Sequence, residues 1–188
     1  MKVQKTYLID AYIIEPNVFG DNRGFFMESY NAGAFEENGL DYSFIQDNQS
    51  LSAESGTVRG LHYQLEPYAQ TKLIRATRGA IYDVIVDIRK GSPTFGSWQG
   101  FILSEDNKRQ LLVPKGFAHG FCTLVKNTEV LYKVDSYYAP EFDRGIQWND
   151  QELKIDWPVT NPILSAKDQA HPPLAQAENN FIFRSSKK

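Results

Sequence analysis

The chain has 188 residues, 41% of them hydrophobic, a formal net charge of −3, three histidines and one cysteine. That length suits a single domain with a sizeable core, and the mixed charge excludes a basic nucleic-acid footprint. The lone Cys122 excludes an internal disulfide and a cysteine-based zinc site. The N-terminal stretch is broken by Asp10 and Glu15 and is expected to be neither a signal peptide nor a membrane span, which makes a cytoplasmic location the expectation.

In chain order, short strands separated by Gly, Pro and Asn turns are predicted over 12–14, 24–29, 42–50, 57–64, 70–78, 79–87, 98–103, 110–113, 116–124 and 129–137. GAIYDVIVDIR is the clearest, with alternating side chains and many β-branched residues. A short helix is predicted over 31–38, capped by Asn31 and stopped by Gly39, and a second over 149–153. The proline-rich stretch 157–173 is expected to wrap the surface or close a mouth. Residues 177–188 read as an extended tail ending in the solvated Lys187 and Lys188. The fold class is all-β: one antiparallel β-sandwich or barrel domain over 1–188 with a few short helices.

A small barrel has a mouth, so polar side chains on an inward row are the features to find. TVRGLHYQ carries Arg59 and His62. Strict alternation puts them on opposite faces, unless Gly60 permits a bulge that brings them together. A metal site is weakly supported, because Tyr63 and Gln64 follow His62 and only Glu66 lies near; the expectation is no metal. Metal-free acid–base chemistry needs a base, an orienting partner, an opposing acid and a cation. His62 suits the base, since its ordinary pKa lies near neutrality. Two readings stay open for the others. His119 is a hydrogen-bonded core histidine or a site residue; Tyr132 packs in an apolar row or acts as an acid; Lys72 is an exposed edge residue or an inward cation. Cys122, in the run GFCTLV, reads as a buried, inert thiol.

The stretches FGDNRGFFMES, FIQDNQS, VRGLHYQ, VDIRKGSPTFG, NKRQLLVPKGFAHGF, LYKVDSYY and LSAKD together resemble the dTDP-4-dehydrorhamnose 3,5-epimerase family, which has a cupin-like β-sandwich (jelly-roll) fold. The resemblance spans nearly the whole chain. It implies a substrate, a dTDP-linked 4-keto sugar, and epimerisation by removing a proton beside the ketone and returning it on the other face, with no cofactor. A one-carbon epimerase, at C3 or C5, is the alternative that this resemblance leaves open. By the resemblance, His62 is the base and Asp168 its carboxylate partner. Tyr132 is the proton donor, and Lys72 is the cation near the C4 oxygen. Arg59 and His119 hold the diphosphate and sugar end. Arg23, Glu28, Gln46, Asp47, Asn48, Tyr138 and Lys167 are implied nucleotide contacts, with Tyr138 stacked on the base. Asp143 stands where some members have Glu, which leaves its contact in question. The family also implies a homodimer with exchanged strands, in which Arg23 and Glu28 serve the partner's site.

Overall fold

A computed structural model describes residues 1–184; the tail expectation for Lys187 and Lys188 lies outside the described residues. Thirteen strands follow in order: β1 (Lys2–Lys5), β2 (Tyr12–Glu15), β3 (Val18–Asp21), β4 (Gly24–Met27), β5 (Gln46–Ser52), β6 (Val58–Gln64), β7 (Lys72–Arg78), β8 (Ala80–Asp87), β9 (Trp98–Ser104), β10 (Gln110–Val113), β11 (Phe117–Thr123), β12 (Thr128–Val134) and β13 (Asp143–Gly145). Two short helices interrupt them, α1 (Ala32–Glu37) and α2 (Ala166–Gln169). All strand pairs are antiparallel. They form a six-stranded sheet, β1-β2-β10-β7-β12-β5, a five-stranded sheet, β13-β6-β11-β8-β9, and a separate β3–β4 hairpin.

The sheets face each other, because their inward rows share one apolar cluster. Ile74, Leu111 and Val130 come from one sheet; Ile81, Ile85, Leu103, Phe117 and Phe121 come from the other. The outer faces are covered too. α1 and the residues around it place Phe35 and Leu40 over Ile14, Leu73 and Leu112. The C-terminal third lays Ile146, Leu153, Trp157 and Phe181 over Val58, Leu61, Val84 and Val86. This double covering explains why β8 is buried along nearly its whole length, as a strand sandwiched on both faces must be.

α1 starts at the predicted cap, where the Asn31 side chain accepts from Ala34 N–H. The stretch 149–153 is a turn and not a helix. There the Asp150 carboxylate accepts from the backbone N–H groups of Glu152, Leu153 and Leu174, an alternative to helical bonding that Asp offers readily. The predicted strand 42–50 begins pairing only at Gln46, because Tyr42 and Phe44 are used in the cover over the sheet.

The β6–β11 ladder settles the TVRGLHYQ question. His119 lies opposite His62 and Phe121 opposite Arg59. Two steps along β11 therefore match three along β6, and the extra residue is a bulge at Gly60–Leu61. Arg59 and His62 both face the interior, while Val58, Leu61 and Tyr63 face the outer cover.

Candidate active site

A cavity of about 520 Å³ opens between the sheets at one end of the sandwich. Arg59, His62, His119 and Phe121 line it from the five-stranded sheet. Ser50, Lys72 and Tyr132 line it from the six-stranded sheet, and Ile163 to Ser165, Lys167 and Asp168 close one side. β7 lies between β10 and β12, so Lys72 is an inward residue of a central strand and not an edge residue.

His62 Nε2 and Asp168 Oδ1 are 2.5 Å apart. The carboxylate is placed by α2. Ser165 caps this helix, accepting from Asp168 N–H at 3.1 Å and donating its hydroxyl to Asp168 Oδ2 at 2.7 Å. Burial raises the Asp168 carboxyl, but hydrogen bonds from His62 and Ser165 outweigh it and hold the group below the usual carboxylate value. An ionised Asp168 accepts from Nε2–H, which leaves Nδ1 of His62 as the ring atom able to take a proton.

On the same face, His119 Nε2 lies 3.0 and 2.9 Å from the two oxygens of fully buried Asp83. Burial pushes Lys72 down to about 8, although Asp143 and Asp83 pull it upward. Burial raises the Tyr132 phenol, which Arg59 partly offsets. Arg59 is braced by Ser52 Oγ at 3.2 Å and Leu51 O at 3.3 Å. The cavity thus sets an imidazole–carboxylate pair on one wall against a phenol and an ammonium on the other.

The remaining predicted residues lie elsewhere. Lys167 donates to Asp143, which also accepts from the Tyr138 hydroxyl at 2.9 Å, so these three form one cluster beside the cavity. Gln46 donates to Asn48 at 2.8 Å, and both share the strand face of Ser50 without lining the cavity. Asp47 has the opposite parity and pairs with Lys133 at 2.8 Å. Arg23 and Glu28 stand at the β3–β4 hairpin, bonded to Asp21 and Asn31, and do not line this cavity.

The model of the dTDP-4-dehydrorhamnose 3,5-epimerase family matches residues 5–176. The chain belongs to this epimerase family. A Shigella flexneri dTDP-4-dehydrorhamnose 3,5-epimerase is 57% identical over 89% of this chain and 93% of its own length. The Pseudomonas aeruginosa epimerase is 54% identical over 95% and 98%. A Bacillus anthracis dTDP-4-dehydrorhamnose 3,5-epimerase structure superposes with a TM-score of 0.90 at 63% identity, covering 92% of this chain and 98% of that one. The epimerase is a cupin-like antiparallel β-sandwich. Among its described residues no helix is long and apolar enough to cross a membrane.

Sequence reasoning passed over three residues that line or brace the epimerase site. Asp83 had a readable signal, a charge on the inward apolar row of Ile81 and Ile85. Ser165 had one as well, as the cap in SAKD. Phe121 gave none beyond its alternation with His119. The third histidine, His171, does not line the cavity, but its Nε2 lies 3.8 Å from Asp168 Oδ1.

Proposed function

We propose that this epimerase inverts C3 and C5 of dTDP-4-dehydro-6-deoxy-D-glucose to give dTDP-4-dehydro-L-rhamnose, a deoxysugar precursor. One observation carries the reading: His62, backed by Asp168, and Tyr132 line the same cavity from opposing sheets. His62 Nδ1 takes the proton from a carbon beside the C4 ketone. The resulting enolate oxygen is stabilised by the Lys72 ammonium, a preformed charge lining the cavity. Tyr132 returns a proton from the other side, and the configuration inverts. The ketone itself acidifies both protons, so the scheme draws on no cofactor.

Arg59 and His119, oriented by Asp83, hold the diphosphate and sugar end. Tyr138, Asp143 and Lys167 receive the nucleotide, with Gln46 and Asn48 nearby along β5 and Asp47 on the other face of that strand. The Bacillus anthracis structure contains TDP and PPi, and a Legionella pneumophila relative, 47% identical with a TM-score of 0.89, is in complex with dTDP-4-keto-L-rhamnose; both support this substrate class.

Arg23 and Glu28 act in the site of a second copy. The β3–β4 hairpin supports a homodimer with exchanged strands, since Phe19, Phe25 and Phe26 are exposed on it and such a cluster is suited to burial against a partner. The enzyme works in the cytoplasm, where sugar nucleotides are made.

A one-carbon epimerase is the second reading, favoured by a Streptomyces niveus dTDP-4-dehydrorhamnose 3-epimerase at 36% identity. The higher identity to two-carbon epimerases, 57% for the Shigella flexneri enzyme, favours the first. Incubating dTDP-4-dehydro-6-deoxy-D-glucose in deuterated water decides. We expect label at C3 and C5 with the native enzyme, and none with His62→Ala, which should still bind dTDP. Label at one carbon would replace the first reading with the second; native-like exchange by His62→Ala would end the base assignment.

A further inference from the structure

We propose that His62, Asp168 and His171 form an inhibitory site for a zinc-class divalent cation, lying behind the proposed base. His171 follows α2 and its side chain is only 10% exposed. Its Nε2 is fully buried and has no hydrogen-bond partner among the described residues. A buried polar nitrogen left unpaired is costly and rare, and this one faces Asp168 Oδ1 at 3.8 Å. The His62 and His171 rings are 5.4 Å apart, centroid to centroid, at 74°. One ligand atom from each of the three residues lies within 4.8 Å of the others.

The chemistry of the set fits zinc. Two imidazoles and a carboxylate with an open fourth position are a common zinc donor set. Zinc bonds of about 2.0–2.2 Å bring tetrahedral ligand atoms to about 3.4 Å from one another. The His62–Asp168 contact must widen from 2.5 Å and the His171–Asp168 distance must shorten from 3.8 Å, both within reach of small ring rotations. The surroundings hold the donors in place. Ser165 grips the other carboxylate oxygen at 2.7 Å, as outer partners of metal ligands do. The His171 ring is seated against the bare backbone of Gly145, where any side chain would collide with it. Pro172 O accepts from Gln147 N–H at 2.8 Å and ties down the segment beyond it.

Occupation would silence the base by moving one proton. Ligation through Nε2 needs that atom's lone pair, so its hydrogen must sit on Nδ1 instead. The ring keeps one proton and its charge, but Nδ1 becomes a donor and cannot take a proton from the sugar. This consequence rests on the assignment of His62 as base under Proposed function.

The test titrates chelator-treated enzyme with CoCl2, followed by visible absorption, and repeats the deuterium exchange assay with ZnCl2. We expect one Co2+ per chain with the bands of a tetrahedral ion, and loss of exchange as Zn2+ binds. His171→Ala and His171→Gln should each exchange label normally without metal and bind Co2+ about 100-fold more weakly. No saturable binding below about 1 mM, or unchanged affinity in both variants, would overturn the site. In that case His62→Ala would still abolish exchange. His171-dependent binding that left exchange intact would instead overturn the inhibition, while the base assignment would still be decided separately by His62→Ala.

Discussion

Lys72 illustrates how one side chain carries opposed demands. Its ammonium is held among buried groups, with no ion pair to any described carboxylate, and burial lowers its pKa to about 8 from 10.5. The unfolded chain binds the proton more tightly than the folded one. On this group's account, stability is therefore lowest below pH 8 and rises as pH climbs from about 8 towards 10.5. Activity should run the other way, because the enolate needs the cation. We expect kcat to fall as pH rises through about 8. Lys72→Met should lower kcat by about 100-fold while raising the melting temperature, and steady-state kinetics with calorimetry would check both. A native rate in that variant would remove Lys72 from the mechanism. Tyr132→Phe separates abstraction from return: the ring still fills its place, but the hydroxyl proton is gone. Inverted product should fall at least about 100-fold while label exchange on the original face persists. Equal loss of both would assign Tyr132 to binding.

At the scale of elements, the bulge in β6 is what turns two polar residues three positions apart into one site. Gly60 adopts φ +127°, and a Cβ there would sit 2.5 Å from Gly120 Cα and 2.8 Å from His119 O. Both the backbone angle and the close strand approach demand glycine. Gly60→Ala should cost about 3 kcal/mol, lower the melting temperature by several degrees and displace both Arg59 and His62. Calorimetry and the exchange assay should fall together. An unchanged melting temperature would mean that the bulge tolerates a side chain. α2 plays the complementary part: a single capped turn brings Asp168 across 106 residues of sequence to His62.

For the whole molecule, the question is what covers the β3–β4 hairpin. It is exposed along most of its length and carries Arg23 away from the cavity of its own chain. If hairpins are exchanged in a dimer, each site combines His62 of one chain with Arg23 of the other. Mixing inactive Arg23→Ala with inactive His62→Ala, under conditions that let subunits reassort, should restore about a quarter of native activity, since half the dimers then hold one intact site. No recovery, from variants shown to exchange subunits, would place Arg23 outside the partner's site. The C-terminal segment has a different role in the molecule. Phe181 is buried in the outer core, the Tyr63 hydroxyl donates to Glu178 O at 2.6 Å, and Arg89 stacks on Phe183 while paired with Asp87 and Asp10. This closes the outer face of the five-stranded sheet.

The sequence alone determined the class of fold. Alternation in GAIYDVIVDIR and the regular spacing of turn residues require short antiparallel strands, and Asn31 with Gly39 delimits α1, because these signals act over a few residues. The ordered stretches from FGDNRGFFMES to LSAKD also marked the family. Tertiary structure alone decided which side chains meet. Alternation predicts opposite faces for Arg59 and His62, and an inserted residue reverses that only in relation to β11. Asp47 sits in a matching stretch, yet its parity turns it away from the cavity towards Lys133. The charge of Asp83 on an apolar row is visible in the sequence, but its pairing with His119 and the burial of His171 appear only when the sheets close and the segment after α2 folds back. The physical reason is range: propensity and capping are set by neighbours in the chain, whereas desolvation and ion pairing depend on groups that only the packed sandwich brings within a few ångströms.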